Sequence, residues 1–485
     1  MLALSVLLSG CQVISGLTSA RDDAETKAQA PAAPAGPRVT FEETRARDPQ
    51  ARLGAREHPK IVKAFGGTYS SPAMEDVLAL VAGRLVEANG EADRAFQITL
   101  LDSPTVNAFA LPGGYLYVTR GLLALASDAS EVAGVLAHEM AHVTANHGVL
   151  RGRQQKAKEI ADRVVSEVVS NPVAGAVARA QGERRLARFS QQQELQADAL
   201  GIRLMAKAGF DPFANARFLD AMERFRAWRR EGGADDMSSS HPSTPRRIEL
   251  ARRHARAIGP PGTGETLRER YLRGVEGLLF GDRESEGFVR GRTYAHKPLS
   301  IAWEAPEGFS LVNKPEAVIA SGPNEQALRF DAVPAKGNGA PEAYLRSGWV
   351  NGLRAGSVRR ATIAGLPAAR AAAEAGDWRF SIAVVAKGAR LFRFILAAPR
   401  GQADQAAMDR RLDAVTASFR VMGAGERSRL RPLRIAVVKV RAGDTVASLA
   451  ARMKGVGDPE PLFRAMNGLG PNGTLKPGTS VKLVR

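Results

Sequence analysis

The spacing of apolar positions divides the chain into stretches of different character. In "SPAMEDVLALVAGRLVEANG" apolar residues recur every three or four positions. Ser71 can cap that helix, Pro72 suits its first turn, and Glu75 can reach back to the cap. "AFQITLLDSP" and "GYLYVTRGLL" read as strands flanking the loop "TVNAFALPGG". "EVAGVLAHEMAHVTANHG" returns to helical spacing, with Val132, Val135, Leu136 and Val143 directed to a core. A further helical stretch rich in Ala and Val runs from 153 to about 180. Near residue 290 the pattern changes to short strand-like runs broken by turns and helices. The last fifty residues read strand, helix, helix, strand, with Val446, Leu449 and Met453 on one face of the first helix. A second helix, "LFRAMNGL", ends at Asn467-Gly468. The expected fold is multidomain α+β: a mainly helical domain over 51–285, an α+β domain over 290–425 and a small βααβ domain over 434–485.

Composition narrows the function classes. With 44% hydrophobic and 24% charged residues over 485 positions, the chain is globular and long enough for several cores. Its net charge of +18 comes from arginines scattered along the chain. No basic run interleaved with aromatics stands out, so nucleic acid is not an expected partner. The lone cysteine, Cys11, excludes an internal disulfide framework. It closes "LALSVLLSGC", which is similar to the end of a bacterial lipoprotein signal and implies lipidation of Cys11. The resemblance departs in one respect: no Lys or Arg precedes Leu2. Gln12 rather than aspartate after the cysteine favours the outer membrane over the inner one. The apolar run of about ten residues is too short to span a bilayer, and no later segment is an expected transmembrane helix. Residues 12–50, rich in Ala and Pro, read as a tether.

The chemistry concentrates in His138-Glu139-Met140-Ala141-His142. Residues four apart share a helix face, so His138 and His142 can offer two imidazole nitrogens to one ion. Glu139 sits where it can act as general base on water at that ion. Chance produces such a spacing on the order of once in a hundred chains of this content. A third ligand is found in "FSQQQELQADALGIRLMAKAGF", where Glu194 can ligate and Asp198, one turn on, can orient a ligating histidine.

Together, His138-Glu139-x-x-His142 and Glu194-x-x-x-Asp198 resemble the HtpX/BepA type of gluzincin metallopeptidase, over about residues 55–260. The resemblance implies one zinc ion held by His138, His142 and Glu194. It also implies an edge strand in "NAFALPGGYLYVTRGLL" that pairs with extended substrate, so Asn107, Ala108, Phe109, Gly113 and Gly114 are expected substrate contacts. In "HPSTPRRIEL" it implies that His241 and Arg247, preferred over Arg246, stabilise the oxyanion or gate the metal. His147 lies off the ligand face and is expected to be structural; His58, His254 and His296 are assigned no role.

The tail, through Gly443, Asp444, Thr445, Asn467, Pro477 and Gly478, resembles a LysM domain, which implies glycan binding. The 290–425 region weakly resembles PsbP/Mog1 modules through "APEGF" and "SFR". The combined expectation is a zinc metalloendopeptidase, lipid-anchored in the periplasm of a Gram-negative bacterium, with the outer membrane as the expected address. It would meet peptidoglycan through its tail and cut unfolded or misassembled envelope proteins in quality control. Two alternatives stay open: a cell-wall-bound scaffold or chaperone with a latent metal site, and a peptidoglycan-peptide hydrolase.

Overall fold

The computed structural model describes residues 51–485 apart from 91–95, 112, 149, 152, 157–171, 230–240, 242–243, 336–338 and 355, with backbone alone for 172–189. The signal-like segment with Cys11, the tether over 12–50 and the centre of the 153–180 stretch lie outside the described residues.

The first domain is a helical layer on a small sheet. Helix α1 (Ala51–Ala64) precedes α2 (Pro72–Asn89). The backbone N–H of Ser71 donates to Glu75 Oε1 at 2.9 Å, so the carboxylate half of the expected cap is present while the Ser71 side chain makes no cap bond. Strands β1 (Gln97–Leu101), β2 (Ala108–Leu111) and β3 (Tyr115–Thr119) form one sheet in the order β1-β3-β2. β3 runs parallel to β1 and antiparallel to β2.

The segment expected to be a loop therefore carries a strand. Gly113 and Gly114, with φ of +87° and +81°, turn the chain tightly enough for Ala108 to pair with Val118. β2 lacks polar–apolar alternation because Ala108 is buried and its three successors are half-buried.

Short helix α3 (Arg120–Leu125) leads into α4 (Ala129–Thr144), whose residues 129–141 are all buried. Around α4 pack α2, α5 (Pro172–Lys207), α6 (Ala214–Arg229) and α8 (Arg268–Val275). Helix α7 (Pro245–Ile258) packs on α5 and α6. Among the described residues, no helix is long and apolar enough to cross a membrane.

The middle region holds a seven-stranded antiparallel sheet built from Ser310 to Pro399, a four-stranded sheet and helix Gln405–Ser418. Its own core includes Trp303, Phe330, Phe392, Phe394 and Phe419. The C-terminal region runs strand Leu433–Lys439, helices Val446–Ala450 and Pro459–Met466, and strand Ser480–Val484, the strands antiparallel. Its sheet takes a third strand, β4 (Leu279–Phe280), from the end of the first domain. Leu449, Phe463, Met466 and Leu483 join the same apolar cluster as Leu122, Leu136 and Phe225.

Candidate metal centre

Local folding places the first two histidines. Asp128 caps α4, accepting from the Glu131 N–H at 2.9 Å. Glu131 reaches back to accept from Ser127 N–H at 2.8 Å and Ser127 Oγ at 2.6 Å. The helix continues through His138, Glu139 and His142. Their Nε2 atoms lie 3.0 Å apart.

Helix α5 crosses α4 at Gly201, where a Cβ would stand 2.9 Å from the His138 backbone nitrogen. That close approach brings Glu194 and Asp198 to the histidines. Glu194 Oε2 is 3.5 Å from His138 Nε2, and Oε1 is 3.4 Å from His142 Nε2. On the far side, His138 Nδ1 lies 3.0 Å from Asp198 Oδ1.

His241 enters from the segment before α7. Its Nδ1 is 3.4 Å from His138 Nε2 and 2.9 Å from Glu194 Oε2. Donor atoms of His138, His142, Glu194 and His241 all lie within 4.8 Å of one another. A tetrahedral zinc with ligands at 2.0–2.1 Å has vertex separations of about 3.3 Å. The spacings of 3.0–3.5 Å among the His138, His142 and Glu194 donors match that figure, so these residues fit a zinc ion in spacing and in chemistry. His241 was expected beside the metal as an oxyanion donor or gate; its nitrogen stands among the ligand atoms.

Glu139 is 3% exposed, and its Oε1 has no hydrogen-bond partner. Burial pushes its carboxyl up from the ordinary range, against the pull of His241 and His138. Burial also works against ionisation of Glu194, but hydrogen bonds with His138 and His241 outweigh it and hold that carboxylate well below its ordinary value. His142 is pushed down to about 2, first by burial and then by His138. A neutral imidazole with a free lone pair is the form a metal takes.

Arg247 reaches the site through Asp198 and Glu194. Thr244 caps α7 by accepting from the Arg247 N–H at 3.2 Å, and Pro245 opens the helix. The Arg247 side chain then turns inward. Nε and Nη2 donate to the two Asp198 oxygens at 2.8 and 2.9 Å, and Nη1 is 3.1 Å from Glu194 Oε2. A buried guanidinium bonded to both carboxylates orients Asp198 and Glu194.

The residues expected to contact substrate differ in their surroundings. Phe109 stacks on Tyr117 with ring centroids 4.8 Å apart and meets Phe65 of the α1–α2 connection, so its ring packs away as part of the core. Gly113 is needed for packing as well as turning, since a Cβ there would lie 2.5 Å from Ala51 Cα. Asn107 is buried, with Oδ1 unpartnered, and its N–H donates to Thr119 Oγ1 at 3.0 Å. β2 lies beside α4 as the sheet's edge.

His147 has more contact with the site than its spacing indicated. Its Nδ1 is 2.9 Å from His142 Nδ1, and its Nε2 is 3.3 Å from Gln196 Oε1. It can therefore hold the ring of His142 without reaching the ion. Five residues past a ligand is the spacing that hid it: the chain leaves the helix after Thr144 and Asn146 adopts a φ of +53°.

Comparison with known proteins agrees with this geometry. The model of peptidase family M48 matches residues 72–255. The mitochondrial metalloendopeptidase OMA1 of Schizosaccharomyces pombe is 34% identical over 168 residues, covering 35% of this chain and 49% of that protein. A putative beta-barrel assembly-enhancing protease of Vibrio cholerae is 28% identical over 204 residues, 39% of this chain and 41% of the relative. The beta-barrel assembly-enhancing protease of Escherichia coli K12 is 27% identical over 201 residues, with the same coverage of 39% and 41%. The chain thus spans half or less of the length of these curated relatives. The solution structure of cyanobacterial PsbP from Synechocystis covers 29% of this chain and 98% of its own, at 15% identity and a TM-score of 0.23, too slight a likeness to carry an argument.

Proposed function

We propose that this chain, whose residues 72–255 match the model of peptidase family M48, is a zinc-dependent metalloendopeptidase of that family. One observation carries the reading: four donor atoms converge on one point, with the buried, unpartnered carboxylate oxygen of Glu139 beside them. His138, His142 and Glu194 would hold one zinc ion. When bound, zinc supplies Lewis-acid polarisation of a peptide carbonyl and acidifies water at an open position to a pKa of about 7.

Glu139 takes the proton of the attacking water as the new C–O bond forms. It then gives that proton to the amide nitrogen as the C–N bond breaks. Asp198 and His147 hold the outer nitrogens of the two histidines, and Arg247 holds Asp198. β2 offers its free edge to an extended peptide, in the mode of strand addition. His241 is read as a gate: its nitrogen lies among the donor atoms of His138, His142 and Glu194 that would hold the ion, and it would have to withdraw for water to reach Glu139. Once withdrawn, it can donate to the oxyanion.

The setting we infer is the periplasm of a Gram-negative bacterium, with lipidated Cys11 as the anchor and the outer membrane as its most fitting address. The substrates are unfolded or misassembled envelope proteins, consistent with relatives named for β-barrel assembly. The C-terminal module is read as LysM-like, with peptidoglycan as its partner. Residues 290–425 are assigned no role.

Glu139→Gln tests the reading. Hydrolysis of an unfolded protein such as casein is expected to fall 10²- to 10⁴-fold with zinc content unchanged. Equal hydrolysis by the variant would sink the peptidase. A wild type that binds zinc but cuts nothing would favour a scaffold or chaperone. Release of peptides from purified sacculi, with casein left intact, would favour a cell-wall hydrolase.

A further inference from the structure

Lys482 lies in the last strand of the C-terminal module and is 0% exposed. Its Nζ donates to three backbone carbonyls at the end of α3: Ala124 at 2.7 Å, Leu125 at 3.3 Å, and Ala126. These three acceptors match the three protons an ammonium carries, and they hold the group although burial pulls its pKa down to about 7. The carbonyls are those a helix leaves unpaired at its end.

The lysine is itself held from behind. Its N–H donates to Asn467 Oδ1 at 2.7 Å, and Asn467 Nδ2 donates to the Lys482 carbonyl at 3.0 Å and to Phe463 O at 2.9 Å. Two further ties meet the next residue of the first domain. Arg268 donates to Ser127 O at 2.5 Å and to Ser480 O at 3.1 Å, bridging the two modules. Gly468 faces Ser127 so closely that a Cβ would stand 3.3 Å from its Oγ.

Ser127 is where the metal-bearing helix begins. Both of its donors bind Glu131, and Arg217 ties Asp128 to Asp211. Glu131, His138 and His142 are spaced seven and eleven residues apart, which puts them on one face of α4. The distance from Glu131 to His138 along the axis is about 10 Å. A rigid helix carries a rotation at its first turn directly to its ligands, and a metal site tolerates only about 0.5 Å and 10–20°.

We propose that the C-terminal βααβ module is a working part of the peptidase, and that Lys482 is a positioning residue for the helix that carries the metal-binding histidines. Whatever else the module binds, it sets the start of α4. The catalytic readout of this inference rests on the proposed peptidase function; its metal and exchange readouts do not.

The test uses the full chain. Lys482→Met keeps length and removes the ammonium. Leu449→Ala serves as control for loss of core packing, because Leu449 is equally buried and shares the apolar cluster but carries no polar group to bond residues 124–126. Zinc affinity is measured by competition with a chromogenic chelator, amide exchange across residues 129–142 by mass spectrometry, and kcat and KM on casein. Lys482→Met is expected to weaken zinc binding 10- to 100-fold, speed exchange in α4 and lower kcat with KM within twofold. At matched loss of Tm, Leu449→Ala is expected to change zinc affinity and α4 exchange far less than Lys482→Met does, since it loosens the shared core without releasing residues 124–126. Wild-type zinc affinity and α4 protection in Lys482→Met would overturn the proposal. So would equal changes in Leu449→Ala at matched loss of Tm. If Lys482→Met does not fold, Arg268→Met must show the same changes, smaller in size, and a wild-type result there overturns it. A wild type that binds zinc yet cleaves nothing would fail the peptidase reading, while the zinc and exchange data would still decide this one.

Discussion

Glu194 and Asp198, one helical turn apart, do different jobs because of what each faces. Glu194 turns its oxygens to His138, His142 and His241. Among the described residues, Asp198 meets the outer nitrogen of His138 and the fork of Arg247. Asp198→Ala therefore removes no ligand yet should weaken zinc binding 10- to 100-fold, the usual effect of losing a partner that orients a ligating histidine. It should also leave Arg247 with a buried, under-paired charge at a cost of about 3–5 kcal/mol, read as a lowered Tm. Unchanged zinc affinity in chelator competition would show that Asp198 does not orient His138. The spacing of these residues was legible in the sequence because an i, i+4 pair on a helix is a local fact. The positions of His241 and His147 were not. Both depend on where a chain turns after or between helices, and no periodicity records that. Arg247 was legible as a residue, but the sequence does not say that an arginine at a helix start turns inward to Asp198 and Glu194.

The element proposed to meet substrate is β2, which periodicity reads as a loop and only the family resemblance reads as an edge strand. Thr119 N–H donates to Asn107 O at 3.0 Å, so by antiparallel alternation Ala108 and Ala110 turn their backbone groups away from β3. Ala108 is buried beside α4, while Ala110 is half-buried. Ala110→Pro would remove an outward donor without breaking the ladder to β3. Losing one backbone hydrogen bond to an extended peptide costs about 1–1.5 kcal/mol, so KM should rise roughly five- to tenfold. Steady-state kinetics on casein check this, with kcat and Tm near wild type. A fall in kcat at constant KM would mean that substrate does not add to this edge. By contrast, α2, α4 and α5 were readable as helices, because their apolar faces and the motif spacing repeat over several turns. The glycine that lets α5 approach α4, Gly201, carries no signal in a single sequence beyond being a glycine inside a helix.

Changes of pattern along the chain marked three regions, but pattern does not show which regions share a core. The first and last do. Met74, Leu136, Phe225 and Val275 belong to one apolar cluster with Leu433, Leu449, Phe463 and Val484, and β4 completes the last region's sheet. The middle region keeps a separate core around Trp303, Phe330 and Phe394. Heat unfolding should follow the cores rather than the order of the chain. Calorimetry is expected to show two transitions, one for the first and last regions melting together and one for the middle. Only the first should depend on metal, because a ligand stabilises the unit that binds it. At a thousandfold excess over Kd the effect is about 4 kcal/mol, and stripping zinc with a chelator should lower that transition by roughly 8–16 °C. The middle transition should stay in place. Removing residues 433–485 should abolish the metal-dependent transition, since it strips one side from the shared core. A third transition, insensitive to chelator and lost on that truncation, would show instead that the C-terminal module melts on its own and is only carried by the peptidase.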